Sequence, residues 1–296
     1  MIKKICGILV ISMIALSLYG CGGPRDVGSE GPKASDVTSS ELSIESEKSG
    51  FSLKVVKNSD LSVYITDVEK SEEGYSFDLA FENRTNKPVK VDFLKVAVDG
   101  VMCDPYFQTT IDPISKSTDK LTWSKKDLER VGVSDLGQVD FTLQAYQEGD
   151  DVNKIVNEKF TIYPQGKNKA KLVTRQDQET DQVIADNENA KVVVTAAAMV
   201  KDLGYVVKVY AENKTDFDAR LSVSEAVVND VTLRPEFLED IPAKRAGYYT
   251  LYFGVDVLRV LNIEQINSVI LKTTMYNAKD INAAPLVQTD FNLKVK

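Results

Sequence analysis

Histidine is absent from this 296-residue chain. That gap removes the commonest general base and the commonest zinc ligand, so Ser-His-Asp and Cys-His catalysis are excluded. Cysteine is almost as scarce, with only Cys6, Cys21 and Cys103. No apolar run reaches the roughly 20 residues that cross a hydrocarbon core; the stretch from Ile5 to Tyr19 is broken by Gly7, Ser12 and Ser17. Excess positive charge is also missing. The net charge of −8 argues against nucleic acid and keeps the body off an anionic membrane surface. Nor is there a long amphipathic helical pattern, which counts against a doubly wound α/β domain.

What the N-terminus does contain is Lys3 and Lys4 ahead of that apolar stretch, followed by a polar, Gly- and Ser-rich tract. This is the layout of a removable export signal over residues 1–20. Leu18-Tyr19-Gly20-Cys21 resembles the lipobox of bacterial lipoproteins, with Tyr19 bulkier than the small residue usual there. The resemblance implies lipidation of Cys21, and acyl chains there would anchor the protein to the extracytoplasmic face of a membrane. Cys6 leaves with the signal and Cys21 is consumed by lipid. Cys103 then stands alone, no disulfide forms within the chain, and stability must come from a hydrophobic core.

Residues 21–50 are rich in Gly, Ser, Glu, Asp, Lys and Pro and read as a lipidated, disordered stalk. As a flexible coil, about 28 residues would reach roughly 30 Å. Beyond the stalk the chain repeats itself at an offset of 130 residues. Gly74, Tyr75, Glu82, Asn83 and Thr85 fall on Gly204, Tyr205, Glu212, Asn213 and Thr215. The register runs on through Val98, Pro105, Ile111, Leu121 and Leu128 to Tyr146 on Tyr276. Fourteen identities over seventy-three ungapped positions far exceed the about four or five that chance supplies. Expected domains are therefore residues 51–163 and 183–296, with a linker over 164–182.

Within each copy the apolar residues alternate, as in Tyr75, Phe77, Leu79 and Phe81, which predicts strands with one buried face. Asp99-Gly100 is a hairpin signal, replaced by Asn229-Asp230 in the second copy. Ser124, Asp127, Leu128 and Val131 predict one short capped helix, repeated by Val255, Leu258 and Leu261. The fold class expected is all-β: two tandem immunoglobulin-like β-sandwiches of six to eight strands each. The Glu-Asn-Arg-Thr and Glu-Asn-Lys-Thr turns, the Asp-Gly hairpin and the segment Leu121 to Tyr146 resemble the tandem immunoglobulin-like lipoproteins of Gram-positive bacteria. That resemblance implies architecture and envelope location and carries no catalytic residue.

Each chemical candidate has a plainer reading. Cys103 follows a turn and is replaced by Leu233, so it reads as packed and unreactive. Glu148, Asp150 and Asp151 lack the ligand spacing of a calcium loop, and no metal or other cofactor is expected. Asn83-Arg84-Thr85 and Asn213-Lys214-Thr215 match a glycosylation acceptor but also a turn. Tyr248, Tyr249 and Tyr252 stand where the first copy has Thr118, Asp119 and Thr122, and are candidate partner contacts for an envelope protein or glycan. The expected function is a membrane-anchored, non-catalytic binding or structural module of the cell envelope. The alternatives are a solute-binding lipoprotein of a transporter and a carboxylate-dependent hydrolase.

Overall fold

A computed structural model describes Ser39–Ser43 and residues 52–295; Cys21, the signal and most of the expected stalk lie outside the described residues. The described residues fall in one compact unit. The first repeat runs through β1 (Ser39–Ser43), β2 (Leu53–Lys57), β3 (Leu61–Ser71), β4 (Gly74–Asn83), β5 (Val89–Val98), β6 (Val101–Met102), β7 (Gln108–Ile111), β8 (Ser115–Ser124), α1 (Lys125–Arg130), β9 (Val139–Gln147) and β10 (Lys154–Tyr163). The second runs through β11 (Gln182–Asp186), β12 (Ala190–Val200), β13 (Gly204–Asn213), β14 (Ala219–Val228), β15 (Val231–Leu233), β16 (Leu238–Ile241), β17 (Ala246–Gly254), α2 (Val255–Val260), β18 (Val269–Asn277) and β19 (Val287–Leu293).

Among the described residues the fold is all-β, with two six-residue α-helices and one 3-10 turn at Lys167–Lys169. In the first repeat one sheet has the order β2-β3-β4-β8, and the other places β9 between β10 and β5. The β4–β8 pair and the β5–β9–β10 set are the B–E and C–F–G pairings of an immunoglobulin-like sandwich, with α1 at the E-to-F crossover. The second repeat has the same pairings in β11-β12-β13-β17 and β14-β18-β19. Alternation explains each core. Phe77, Leu79 and Phe81 on β4 meet Leu121 and Trp123 on β8, and Phe93 and Phe141 close from the other sheet. The Phe77 and Trp123 rings meet edge-on at 5.1 Å between centroids. A separate cluster around Val207, Leu221, Leu251 and Leu271 fills the second repeat.

The caps and turns follow the sequence. Ser124 Oγ accepts from the Asp127 amide at 3.1 Å and starts α1. Asp99 and Gly100 both have positive φ, as do Asn229 and Asp230, which matches the twist of the strands they join. Gly74 and Gly204 are forced by close approach: a Cβ at either would lie 2.1 Å from the carbonyl oxygen of Trp123 or Phe253.

Two details depart from the sequence reading, and a third adds to it. Ser39–Ser43, assigned there to the disordered stalk, pairs in parallel with Lys159–Tyr163 and covers the edge of β10. The offset of 130 becomes 129 upstream of β4, because two residues join β3 to β4 while three join β12 to β13. The linker is built into the fold. Arg175 reaches Asp181 with two hydrogen bonds of 2.8 and 2.6 Å and lies over the Tyr210 ring, and Lys191 reaches Asp177 at 2.7 Å.

The repeats are joined through backbone and charge. β6 of the first pairs with Ala246 at the start of β17, so one ten-stranded sheet crosses the joint. Ala246 donates its amide to the Gly100 carbonyl at 3.0 Å. Because β17 runs away from this contact into α2, the α2 end is the end of the second repeat farther from the joint.

Candidate functional site

Of the expected partner contacts, Tyr248 and Tyr252 are exposed on the outer face of β17. The Tyr248 ring meets Tyr210 at a tilt of 58° with centroids 5.2 Å apart, beneath the linker clamp of Arg175. Tyr249 is a correction. It pairs with the core residue Val209 and packs against the second core, and its buried hydroxyl has no partner among the described residues. Burial pushes that phenol above its ordinary pKa. Since Phe253 faces inward, strand parity already puts Tyr249 inward and Tyr252 outward.

Asn83 and Asn213 are structural bolts. Asn83 is 1% exposed; its Nδ2 donates to the carbonyls of Lys87, Ile111 and Asp112 at 2.8, 3.1 and 3.0 Å. Its Oδ1 accepts from the Thr85 amide and hydroxyl at 2.9 and 2.8 Å. Asn213 makes the same set with Phe217, Ile241, Pro242 and Thr215. An amide so enclosed is no acceptor for a glycan in the folded chain. Glu82 bonds Arg84 at 2.6 Å, and that guanidinium holds its carboxyl below the ordinary range.

Cys103 is buried, and burial pushes its thiol up to about 11, which suppresses the thiolate a nucleophile needs. Its carbonyl accepts from Trp123 Nε1 at 3.0 Å. Asp150 caps its own loop by accepting from Asn153 at 2.9 and 3.0 Å. Among the described residues no cluster of three or more acids and cysteines is placed to hold a metal ion.

A charge cluster lies in the joint. Lys95, held at φ 53 in a β-bulge, reaches Asp218 at 3.1 Å, and Lys159 reaches it at 3.3 Å. Arg245 reaches Asp140 at 2.8 Å. Burial alone would raise the Asp218 carboxyl, but the two ammoniums overcome it and hold it below its ordinary value. The crevice there is about 170 Å³, smaller than the roughly 300–1,000 Å³ usual for small-ligand sites. A shallower groove of about 420 Å³ on the outer face of the first repeat is lined by Tyr64, Ala80, Glu82 and Lys116–Thr118. Its equivalents in the second repeat include Tyr210 and Tyr248, where the linker's Arg175 sits.

The most uneven surface between the repeats was not among the sequence candidates. At the α2 end, Met199, Val200, Leu203, Tyr252, Val257 and Val260 are exposed. The same places in the first repeat hold Lys70, Ser71, Glu73, Thr122, Asp127 and Arg130. Laying the repeats over one another position by position reveals this reversal.

No family model matches the chain, and no curated protein matches it. Solved structures overlay it only loosely. The Salmonella enterica SafA pilin in complex with the SafB chaperone is 12% identical, covering 81% of this chain and 99% of that one, with a TM-score of 0.24. The YadV chaperone is 13% identical over 79% of this chain and 100% of its own, with a TM-score of 0.22. The secreted serine protease VesC from Vibrio cholerae is 12% identical over 74% and 46%, with a TM-score of 0.19. Scores this low carry no argument about activity or partners; the immunoglobulin-like assignment rests on the strand pairings above.

Proposed function

We propose that this chain is a membrane-anchored extracytoplasmic lipoprotein, similar in plan to the tandem immunoglobulin-like lipoproteins of Gram-positive bacteria, acting as a non-catalytic binding module of the cell envelope. Lipid on Cys21 holds it to the membrane, the segment that follows acts as a stalk, and the two repeats are its domains. The observation that carries the binding role is the apolar α2 end of the second repeat, which evolution of a mere spacer would not require. A lone spacer gains nothing from exposing Leu203 and Val260 where its sister repeat keeps Glu73 and Arg130.

The test is fractionation of cells producing the full chain, followed by capture of cross-linked envelope partners. Wild type is expected in the membrane fraction and Cys21→Ala in the soluble extracytoplasmic fraction. Replacing Leu203 and Val260 by the first repeat's Glu and Arg is expected to abolish cross-linking to any partner. A Cys21→Ala protein that stays in the membrane, or cross-linking indifferent to the two replacements, would overturn the proposal.

A further inference from the structure

The outer face of the β2-β3-β4-β8 sheet is open in the first repeat where the second repeat closes it with its own side chains. Val63, Ile65, Leu79 and Phe81 face the core, so Tyr64 on β3, Ala80 on β4 and Thr118 on β8 lie side by side in one row on the outer face. Their counterparts are Val193, Tyr210 and Tyr248, paired across the strands in the same way. There the space is filled: Val193 is 0% exposed and Tyr210 4%, and the Arg175 guanidinium of the linker lies over the Tyr210 ring at 5.3 Å. In the first repeat an alanine and a threonine replace the two tyrosines. The groove of about 420 Å³ lies where the second repeat has those two rings, and its volume falls within the roughly 300–1,000 Å³ of small-ligand sites.

The walls of the groove select its occupant. Ala80 gives an apolar floor and Tyr64 an aromatic flank. The next row along the strands is Ser62, Glu82 and Lys116. Glu82 Oε2 is taken by Arg84 at 2.6 Å, but Oε1 stands 3.6 Å from Lys116 Nζ, beyond hydrogen-bond length, and Lys116 is 78% exposed. A carboxylate oxygen with capacity to spare, an ammonium with three donors and the Thr118 hydroxyl therefore border a small apolar floor. An extended peptide binds a sheet through unpaired backbone groups, and β3 and β4 offer none because each is bonded to a strand on both sides. A lipid chain would bury the charged rim without giving it partners. A ring with one apolar face and an edge of hydroxyls meets every requirement.

We infer that this groove binds a pyranose ring of an oligosaccharide, with the apolar face of the sugar over Ala80 and against Tyr64 and its hydroxyls bonded to Glu82, Lys116 and Thr118. The second repeat has no such site, because Tyr210, Tyr248 and Arg175 occupy the space. The groove lies on the other repeat from the apolar α2 end, so this inference and the reading above stand or fall separately.

The test is isothermal titration of the purified full chain with three probes: chitotetraose, cellotetraose and maltotetraose. At least one is expected to bind at one site per chain with a Kd of about 1 mM or tighter. Ala80→Tyr together with Thr118→Tyr copies the second repeat and should weaken that binding at least about tenfold by filling the groove. Tyr64→Val, also a copy, should weaken it by removing the flank. A urea midpoint within about 0.3 M of wild type, read from Trp123, shows that each variant is folded. Thr118→Tyr alone, at an exposed position, repeats the test if the double variant is less stable. No binding by any probe, two sites per chain, or binding that survives every variant would each overturn the inference. Groove-dependent retention of the chain by isolated cell envelope that is lost on protease digestion of the envelope, yet kept after periodate cleavage of its sugars, would assign the groove to a protein and overturn the saccharide.

Discussion

Replacing Asn83 by alanine should unfold the first repeat at much lower denaturant, and the size of the effect follows from its bonds. The side chain holds three carbonyls and one amide of the β4–β5 turn and the end of β7, and it is buried. The two N–H groups, shared among those carbonyls, and the two bonds that Oδ1 accepts from the Thr85 amide and hydroxyl contribute about 1 kcal/mol each, so their loss should cost about 4 kcal/mol, a large part of the stability of a domain this size. Asn83→Asp should cost at least as much at neutral pH, since it sets a carboxylate against those three carbonyls. The assay is urea unfolding followed by fluorescence of Trp123, the only tryptophan, which is 1% exposed in the first core. With a slope of roughly 2 kcal/mol/M, the Asn83→Ala midpoint should fall by about 2 M. Asn213→Ala should lower the circular-dichroism transition by a similar amount while shifting the Trp123 signal less. A midpoint change under about 0.3 M for Asn83→Ala would refute the claim that this asparagine bolts the repeat.

Asp99 accepts from the amides of Gly137 and Gln138 at 3.1 and 2.7 Å, and burial pushes its carboxyl up to about 6. Its protonated form is favoured by folding. Its contribution should therefore be greatest below about pH 4 and fall as pH rises through 6, by about 2–3 kcal/mol. The unfolding free energy of wild type minus that of Asp99→Asn should decline across that window. Gly204→Ala should fail to accumulate as folded protein, because its Cβ would sit 2.1 Å from the Phe253 carbonyl; native yield and circular dichroism check this. Cys103 should react with an iodoacetamide probe no faster than the first repeat opens, so labelling rates should track urea concentration. Fast labelling of the native protein would contradict its burial.

Much of the fold was legible because β-sandwich chemistry is local. Alternation at Tyr75–Phe81 set the faces of β4, Ser124 with Asp127 set the start of α1, and paired Asn-x-Thr turns marked the ends of β4 and β13. The hidden features depend on contacts across the chain. Ser39–Ser43 has no apolar pattern of its own and becomes a strand only because β10 offers an open edge. Arg175 and Asp181 look like polar linker until Tyr210 and Tyr248 bring a platform beneath them. Tyr249 is grouped with Tyr248 and Tyr252 by composition, whereas parity with Phe253 turns it inward. The apolar α2 end shows in the aligned repeats only as an absence of the first repeat's charges.

The most direct test of the account is the mass of the N-terminal peptide of the protein extracted from membranes. The account predicts a peptide beginning at Cys21 and carrying the added mass of two or three acyl chains. A peptide that begins elsewhere, or an unmodified Cys21, would contradict it.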